Sequence, residues 1–299
     1  MLIVQLSGGL GNQLFQYAAG RALALRRGEP VWLDTCSYVG HAGRVYALDQ
    51  FHIKAHPAPQ EILRHFARDI DNSFPNRMRR KLAAWLRRPP SVVRERRPFQ
   101  YDPQLFDDLN KDVFLVGHWQ NEGYFREIAP QIRRELTLTA PAQGINAEML
   151  GAISRSTSVS LHVRRGDYVA NQATLAFHGT CPPDYYHRAV EIIVQRVAAP
   201  HFFVFSDDIT WVKENLALPQ PATYVAHNGP EAAHEDLRLL SACKHHVIAN
   251  STFSWWGAWL SDWPDKIVIA PHRWLNDPRY DASDIIPPGW LRLDVGGAK

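Results

Sequence analysis

The feature that most restricts the fold of this chain is its repeated passage from a short apolar strand, through a polar turn, into an amphipathic helix. Leu2 to Leu6 reads as a buried strand, Gly8-Gly9-Leu10-Gly11-Asn12 follows, and Gln13 to Arg27 has helical periodicity through Leu14, Tyr17, Ala18, Arg21, Ala22 and Leu25. Val31 to Leu33 is a second strand ending at Asp34. A strand–helix–strand opening predicts a parallel sheet. Val113 to Gly117 reads as a further strand, with His118-Trp119-Gln120-Asn121 at its end and a helix from Gly123 to Leu136. The second half repeats the alternation more plainly. Its expected strands are Val159 to Val163, Phe202 to Phe205, Thr223 to Val225, His246 to Ala249 and Lys266 to Ile269. Its expected helices are Asp184 to Val197, Ile209 to Asn215, Ala233 to Cys243 and Phe253 to Leu260, with Asp184 as an N-cap after Pro182-Pro183.

Between Thr137 and Asn146 the composition turns to Thr, Ala, Pro, Gln and Gly, which marks a domain boundary there or slightly later. The expected organisation is two α/β domains facing a cleft, residues 1–150 and 151–299, with the last residues able to return to the first domain. Lysine and arginine number 33 against 30 acids, a net charge of +3 that argues against a dedicated nucleic-acid binder. The basic residues are unevenly placed. Arg77, Arg79, Arg80, Lys81, Arg87, Arg88, Arg94, Arg96 and Arg97 face only Glu95 in that stretch, with Leu82, Trp85 and Leu86 at helical spacing. A solvated helix face explains the pattern; so does attraction to anionic lipid head groups or a phosphorylated acceptor. Cys36, Cys181 and Cys243 match no metal or redox spacing and suit a reducing compartment. No apolar run reaches the roughly 20 residues of a membrane span, so a cytoplasmic protein is expected, in peripheral contact at most with the inner face of the plasma membrane.

Four loops at strand ends carry candidate chemistry, where open α/β sheets bind ligands. The strand from Ser158 to Val163 runs into Arg164-Arg165-Gly166-Asp167. Arginine forks suit phosphate oxygens; Gly166 allows a sharp turn and Asp167 can orient one arginine. Alone, this reads rather as a surface ion pair on a loop. The glycine loop, Gly8 to Gln13, brings backbone N–H groups close to an anion or sugar, although it lacks the dinucleotide fingerprint and a P-loop lysine. A helix cap is its plain alternative. Asp207-Asp208 can chelate a divalent ion, accept from a ribose hydroxyl or pair with guanine, and a helix cap accounts for one of the two. Asn250-Ser251-Thr252-Phe253-Ser254-Trp255-Trp256-Gly257 places three hydroxyls at a helix start, where free N–H groups attract anions. Capping explains one hydroxyl, and the tryptophans suit a core. Together the loops suit a nucleotide diphosphate, and the abundance of cationic and hydroxyl donors makes a metal less necessary.

These segments, with Phe177-His178-Gly179 and Asp184-Tyr185-Tyr186, resemble the α-1,2-fucosyltransferases of glycosyltransferase family 11, in order and over nearly the whole chain. The His-x-Arg-Arg-x-Asp element alone is shared with α-1,6- and protein O-fucosyltransferases. The resemblance implies a GT-B arrangement of two Rossmann-like domains, 1–150 on the acceptor side and 151–299 holding GDP-fucose. It also implies inversion at the fucose anomeric carbon, no cofactor and no essential metal. On it, Arg164 and Arg165 neutralise the diphosphate, and Asn250, Ser251, Thr252 and Ser254 hold its phosphates from the helix start. His162 and Asp207 read guanine, while Asn12, with Gly9 and Gly11, reaches the fucosyl–phosphate region. His178 is the first candidate for the base that takes the acceptor proton and Asp167 the second. The α-1,6 relatives have a glutamate a few residues past the arginines, and here that position is Gln172. Animal members carry an N-terminal anchor, so a chain without one resembles the bacterial enzymes. Their acceptor would be a β-galactoside on a lipid diphosphate. The alternatives are fucosyl transfer to another linkage or a non-catalytic nucleotide-sugar or glycan binder; a dinucleotide oxidoreductase is disfavoured.

Overall fold

Parallel pairing is what the strand and helix alternation demands, and every strand register among the described residues of a computed structural model is parallel. The structure describes residues 1–39, 44–71, 73–85, 91–107 and 109–296, with the side chains of 67–69, 79–80, 82–85 and 167 left outside that description. The chain divides into two units, Met1–Thr137 and Leu138–Lys299.

The first unit runs through β1 (Leu2–Gln5), α1 (Leu10–Arg27), β2 (Val31–Asp34), β3 (Ala55–Pro57) and α2 (Gln60–Ile70). It continues with α3 (Phe74–Trp85), β4 (Val92–Arg94), β5 (Val113–Val116) and α4 (Ala129–Glu135). Its sheet has the order β3-β2-β1-β5-β4. Helix α1 begins earlier than its apolar periodicity suggests, because Gly9 O accepts the N–H groups of Asn12 and Gln13. It ends on Gly28 in the left-handed region, with Arg26 and Arg27 in the last turn opposite the helix dipole. The helix expected from Gly123 to Leu136 is instead two 3-10 turns, Glu122–Tyr124 and Arg126–Ile128, followed by α4. Pro130 explains this: lacking an N–H, it fits only the first turn of an α-helix.

The second unit holds α5 (Gly144–Arg155), β6 (Thr157–Val163), α6 (Gly166–Ala170), α7 (Gln172–His178) and α8 (Pro183–Arg196). Then come β7 (Pro200–Ser206), α9 (Ile209–Asn215), β8 (Ala222–Val225) and α10 (Ala233–Ala242). The last elements are β9 (His245–Val247), α11 (Thr252–Leu260), β10 (Val268–Pro271) and β11 (Leu291–Leu293), in a sheet of order β11-β10-β9-β6-β7-β8. Both faces of β7 are buried: Phe202 and Val204 join the core under α8, while Phe203 and Phe205 join the one formed with α5 and α10. That is the two-sided burial of a parallel sheet.

The change of unit falls at Thr137/Leu138, where the composition turns, and ahead of the 150/151 division. Ile153 of α5 is buried with Phe203 and Phe205, and Met149, Leu150 and Ala152 pack on that cluster, so α5 belongs to the second sheet. The closing segment Leu291–Leu293 is that sheet's edge strand, and residues 297–299 lie outside the described residues. Asp184 is not the cap of α8. Pro182 holds that position, and Asp184 sits in the first turn, paired with Arg188 at 3.1 Å.

Both units are therefore Rossmann-like α/β layers, and both reverse strand order once. The chain builds outward from β1 to β3, then crosses to the opposite edge at β4 and comes inward to β5 beside β1; in the second sheet it builds outward from β6 to β8, then returns beside β6 at β9 and builds outward to β11. The reversals lie between β1 and β5 and between β6 and β9. Among the described residues no helix is long and apolar enough to cross a membrane.

Candidate active site

In the second unit, three of the four candidate loops leave the carboxyl ends of adjacent strands at the reversal point. The register pairs Val163 with Ser206, so Arg164 emerges beside Asp207. Asp207 Oδ2 lies 2.8 Å from Arg164 Nη1, and its Oδ1 accepts the Arg165 backbone N–H at 2.9 Å. Asp208 Oδ2 is 3.5 Å from Arg165 Nε, while its Oδ1 accepts the Trp211 N–H and caps α9. One carboxylate of the pair is thus a cap, as a helix start after a strand requires. Each arginine also lies over a ring, Arg164 at 5.4 Å from the Tyr168 centroid and Arg165 at 3.8 Å from that of Trp211. The orienting role expected of Asp167, whose side chain lies outside the described residues, is filled by Asp207. Gly166 also differs from expectation. A Cβ there would stand 2.4 Å from Asp207 Oδ2, so close approach of the carboxylate, and not a sharp turn, requires glycine.

Helix α11 starts from the end of β9. Ser251 is its N-cap residue without a side-chain cap bond, and Thr252 opens the helix half-buried. The first N–H groups of the helix have no carbonyl of their own and leave a partial positive charge there. Two residues expected to touch phosphate are committed elsewhere. Ser254 is fully buried, its hydroxyl directed at the backbone oxygens of Ser251 (3.3 Å) and Ala249 (3.5 Å). Asn250 is also buried, and its Nδ2 donates to the carbonyls of His178 (3.0 Å), Trp274 (3.2 Å) and Gly179 (3.3 Å). Asn250 therefore positions the segment that carries His178. Trp255 and Trp256 are core residues.

His178 closes α7, and its ring stacks on Tyr168 at 4.6 Å and 11°. One tyrosine ring thus meets both the first arginine and the candidate base. Tyr168 was not singled out by sequence reasoning; Arg164 precedes the start of α6, so the contact comes from the turn between β6 and α6 and not from helical spacing. His162 is buried with its ring 5.7 Å from that of Phe253, and its Nδ1 has no hydrogen-bond partner. Burial, with Arg164 adding to it, pushes its pKa down to about 3, so the imidazole stays neutral.

In the first unit Gly9 caps α1, Gly11 is buried in its first turn, and Asn12 Oδ1 accepts from Gln120 Nε2 at 3.0 Å. Gln13 is occupied by the backbone of Val45 and Ala47, so it pins a loop. Arg44 is a cation that no motif pointed to. A Cβ at Gly9 would meet its Nη1 at 2.7 Å, which places the guanidinium against the glycine loop.

The model of a known protein family, described as glycosyl transferase family 11, matches residues 106–294, which include the arginine loop, Asp207 and the start of α11. The chain belongs to glycosyl transferase family 11. The glycine loop lies outside that span but within the match to full-length relatives. This family 11 enzyme is 34% identical over 307 residues to the alpha-1,2-colitosyltransferase of Escherichia coli, covering 98% of this chain and 99% of that one. It is 32% identical to the O-antigen biosynthesis glycosyltransferase WbnK of Escherichia coli, over 96% and 99% of the two chains. With human galactoside alpha-(1,2)-fucosyltransferase 1 it shares 28% identity, covering 88% of this chain and 66% of the human one.

Proposed function

We propose that this family 11 glycosyltransferase is a galactoside 2-α-L-fucosyltransferase. It transfers fucose from GDP-β-L-fucose to the 2-hydroxyl of a terminal β-galactoside, with inversion and without a metal ion. The observation that carries the proposal is the pairing of a braced arginine couple with an uncapped helix start across the reversal of one sheet. Arg164 and Arg165 neutralise the diphosphate as its bond to the sugar breaks, and the Ser251 and Thr252 hydroxyls and first α11 N–H groups hold phosphate oxygens. The neutral His162 offers an unpartnered Nδ1 to the guanine edge. Asp207, already bound to both arginines, keeps them in place and has lone pairs left for the base. His178, stacked on the Tyr168 ring that Arg164 also meets, takes the proton of the attacking hydroxyl. Asn12, with Gly9 and Gly11, is assigned to the fucosyl–phosphate region by the family resemblance. The names of the relatives support an α-1,2 product and an acceptor on a surface-glycan precursor.

The colitosyltransferase relative favours one second reading, in which the donor sugar is colitose. Incubating the protein with GDP-fucose or GDP-colitose, EDTA and a panel of β-galactosides tests both. Full activity in EDTA with a 2-linked α product is expected, and the larger kcat/KM identifies the donor. A strict metal requirement would instead move Asp207 and Asp208 to the centre of the reaction, and a different linkage would overturn the assignment.

A further inference from the structure

The first sheet also has a reversal point, and what stands there is unusual. β1 leaves through the glycine loop and β5 leaves through residues 117–121; the register that pairs Val4 with Leu115 sets the two exits side by side. Trp119 in the second exit has φ +56°, a left-handed backbone that is costly for a bulky side chain. Its ring is fully buried between Phe106 and Tyr124, both at 5.6 Å. The conformation is held from three sides. The Glu95 carboxylate accepts the N–H groups of His118 (2.8 Å) and Trp119 (3.1 Å). Gln16 Nε2 donates to Gly117 O at 3.1 Å, and Gln120 Nε2 donates to Asn12 Oδ1 at 3.0 Å. The outcome of this bracing is a buried indole next to His118, which keeps an exposed surface although surrounding protein holds its imidazole below the ordinary pKa; two positions on, the Gln120 carboxamide is linked to that of Asn12.

A partly exposed histidine two residues from a linked amide pair, at the end of a sheet where ligands bind, is suited to a neutral sugar. The ring offers a face to C–H groups, and the amides offer donors and acceptors to hydroxyls. We propose that the Gly117–Asn121 turn is a subsite for the acceptor sugar. His118 is its stacking platform, and Gln120, oriented by its bond to Asn12, is its hydroxyl partner. The proposal rests on the reading of the chain as a GDP-sugar transferase.

The test compares His118→Ala and His118→Phe with the wild type, using lactose as the acceptor probe and GDP-fucose or GDP-colitose as donor. His118→Ala is expected to raise the lactose KM about tenfold while donor KM and kcat stay within about twofold. His118→Phe keeps a ring without a titratable nitrogen. It should hold the lactose KM within about threefold of wild type with an unchanged pH profile of kcat. An unaltered lactose KM in His118→Ala, equal losses in the two variants, or a shift in donor KM would overturn the subsite. If the wild type forms no product from either donor, the transferase reading fails instead. The subsite is then decided by saturation-transfer NMR of lactose. Transfer in the wild type that disappears in His118→Ala supports it; no transfer in the wild type, or transfer retained in the variant, refutes it.

Discussion

Asp207 turns two adjacent arginines into a preorganised clamp. It binds the guanidinium of one and the backbone N–H of the next, and a ring backs each cation. Preorganised charge matters most where a leaving group gains charge in the transition state. Arg164→Ala should therefore lower kcat by roughly 10²- to 10³-fold, read as GDP release in the presence of acceptor. Asp207→Asn should cost less, about tenfold, because its Oδ1 still accepts the Arg165 N–H while the charge on Arg164 is unmatched. A larger loss in Asp207→Asn than in Arg164→Ala would mean that Asp207 contacts the donor chiefly by itself. The arginines were conspicuous in the sequence. Their partner was not, because Asp207 lies on another strand and only the pairing of Val163 with Ser206 brings it near.

At the scale of elements, the short helices α6 and α7 carry the chain away from the arginines and back, so that His178 stacks on Tyr168. Asn250 locks this return to the start of α11 through the carbonyls of His178 and Gly179, and ties both to that of Trp274 after β10. Asn250→Ala leaves those carbonyls without their donor and should destabilise the protein by about 2 kcal/mol in urea denaturation. It should also lower kcat more than it raises the donor KM, since it loosens His178 and leaves the phosphate donors in place. An effect on donor KM alone would return Asn250 to the role of direct ligand. The long, periodic helices α1, α8 and α10 were legible in the sequence within a residue or a turn. The strands Ala55–Pro57, Val92–Arg94 and Leu291–Leu293 were not, for they are three-residue edge strands without a sustained apolar run, whereas the equally short His245–Val247 is internal to its sheet and buried throughout.

For the whole molecule, two buried histidines couple folding to pH. Burial, with Arg164 adding to it, holds His162 down at about 3; burial, with Lys266 and His245 adding, holds His246 well below the ordinary range. As the pH falls below about 6.5 the unfolded chain gains protons that the folded chain refuses, so stability declines from there toward pH 3. Each histidine contributes a slope of at most about 1.4 kcal/mol per pH unit. Replacing His162 with Gln should flatten the fall in unfolding free energy between pH 6 and 4, measured by denaturant titration; an unchanged slope would assign it to other groups.

The surface of α3 bears on a second expectation. Phe74 (76% exposed) and Met78 (50% exposed) lie a helical turn apart, near exposed Arg77 and Lys81. The side chains of Arg79, Arg80, Leu82 and Trp85, and residues Leu86, Arg87 and Arg88 as a whole, lie outside what the structure describes. We propose that α3 rests on an anionic bilayer where a lipid-linked acceptor is presented. Neutralising Arg77 and Lys81 should weaken cosedimentation with vesicles containing anionic lipid and leave transfer to lactose intact. Equal vesicle binding by the variant would refute the contact.

Local pattern was enough to establish alternating strands and helices, hence parallel sheets, and to mark the loops at strand ends as chemically loaded, since periodicity and turn chemistry are properties of neighbouring residues. Which members of those loops are free to act is a different matter. Ser254 and Asn250 read as ligands but spend their hydrogen bonds inside the fold, while Asp207 and Arg44 acquire their partners only when distant segments meet. Strand order and register create those meetings, and both depend on contacts between segments far apart in the chain, which no window of adjacent residues contains.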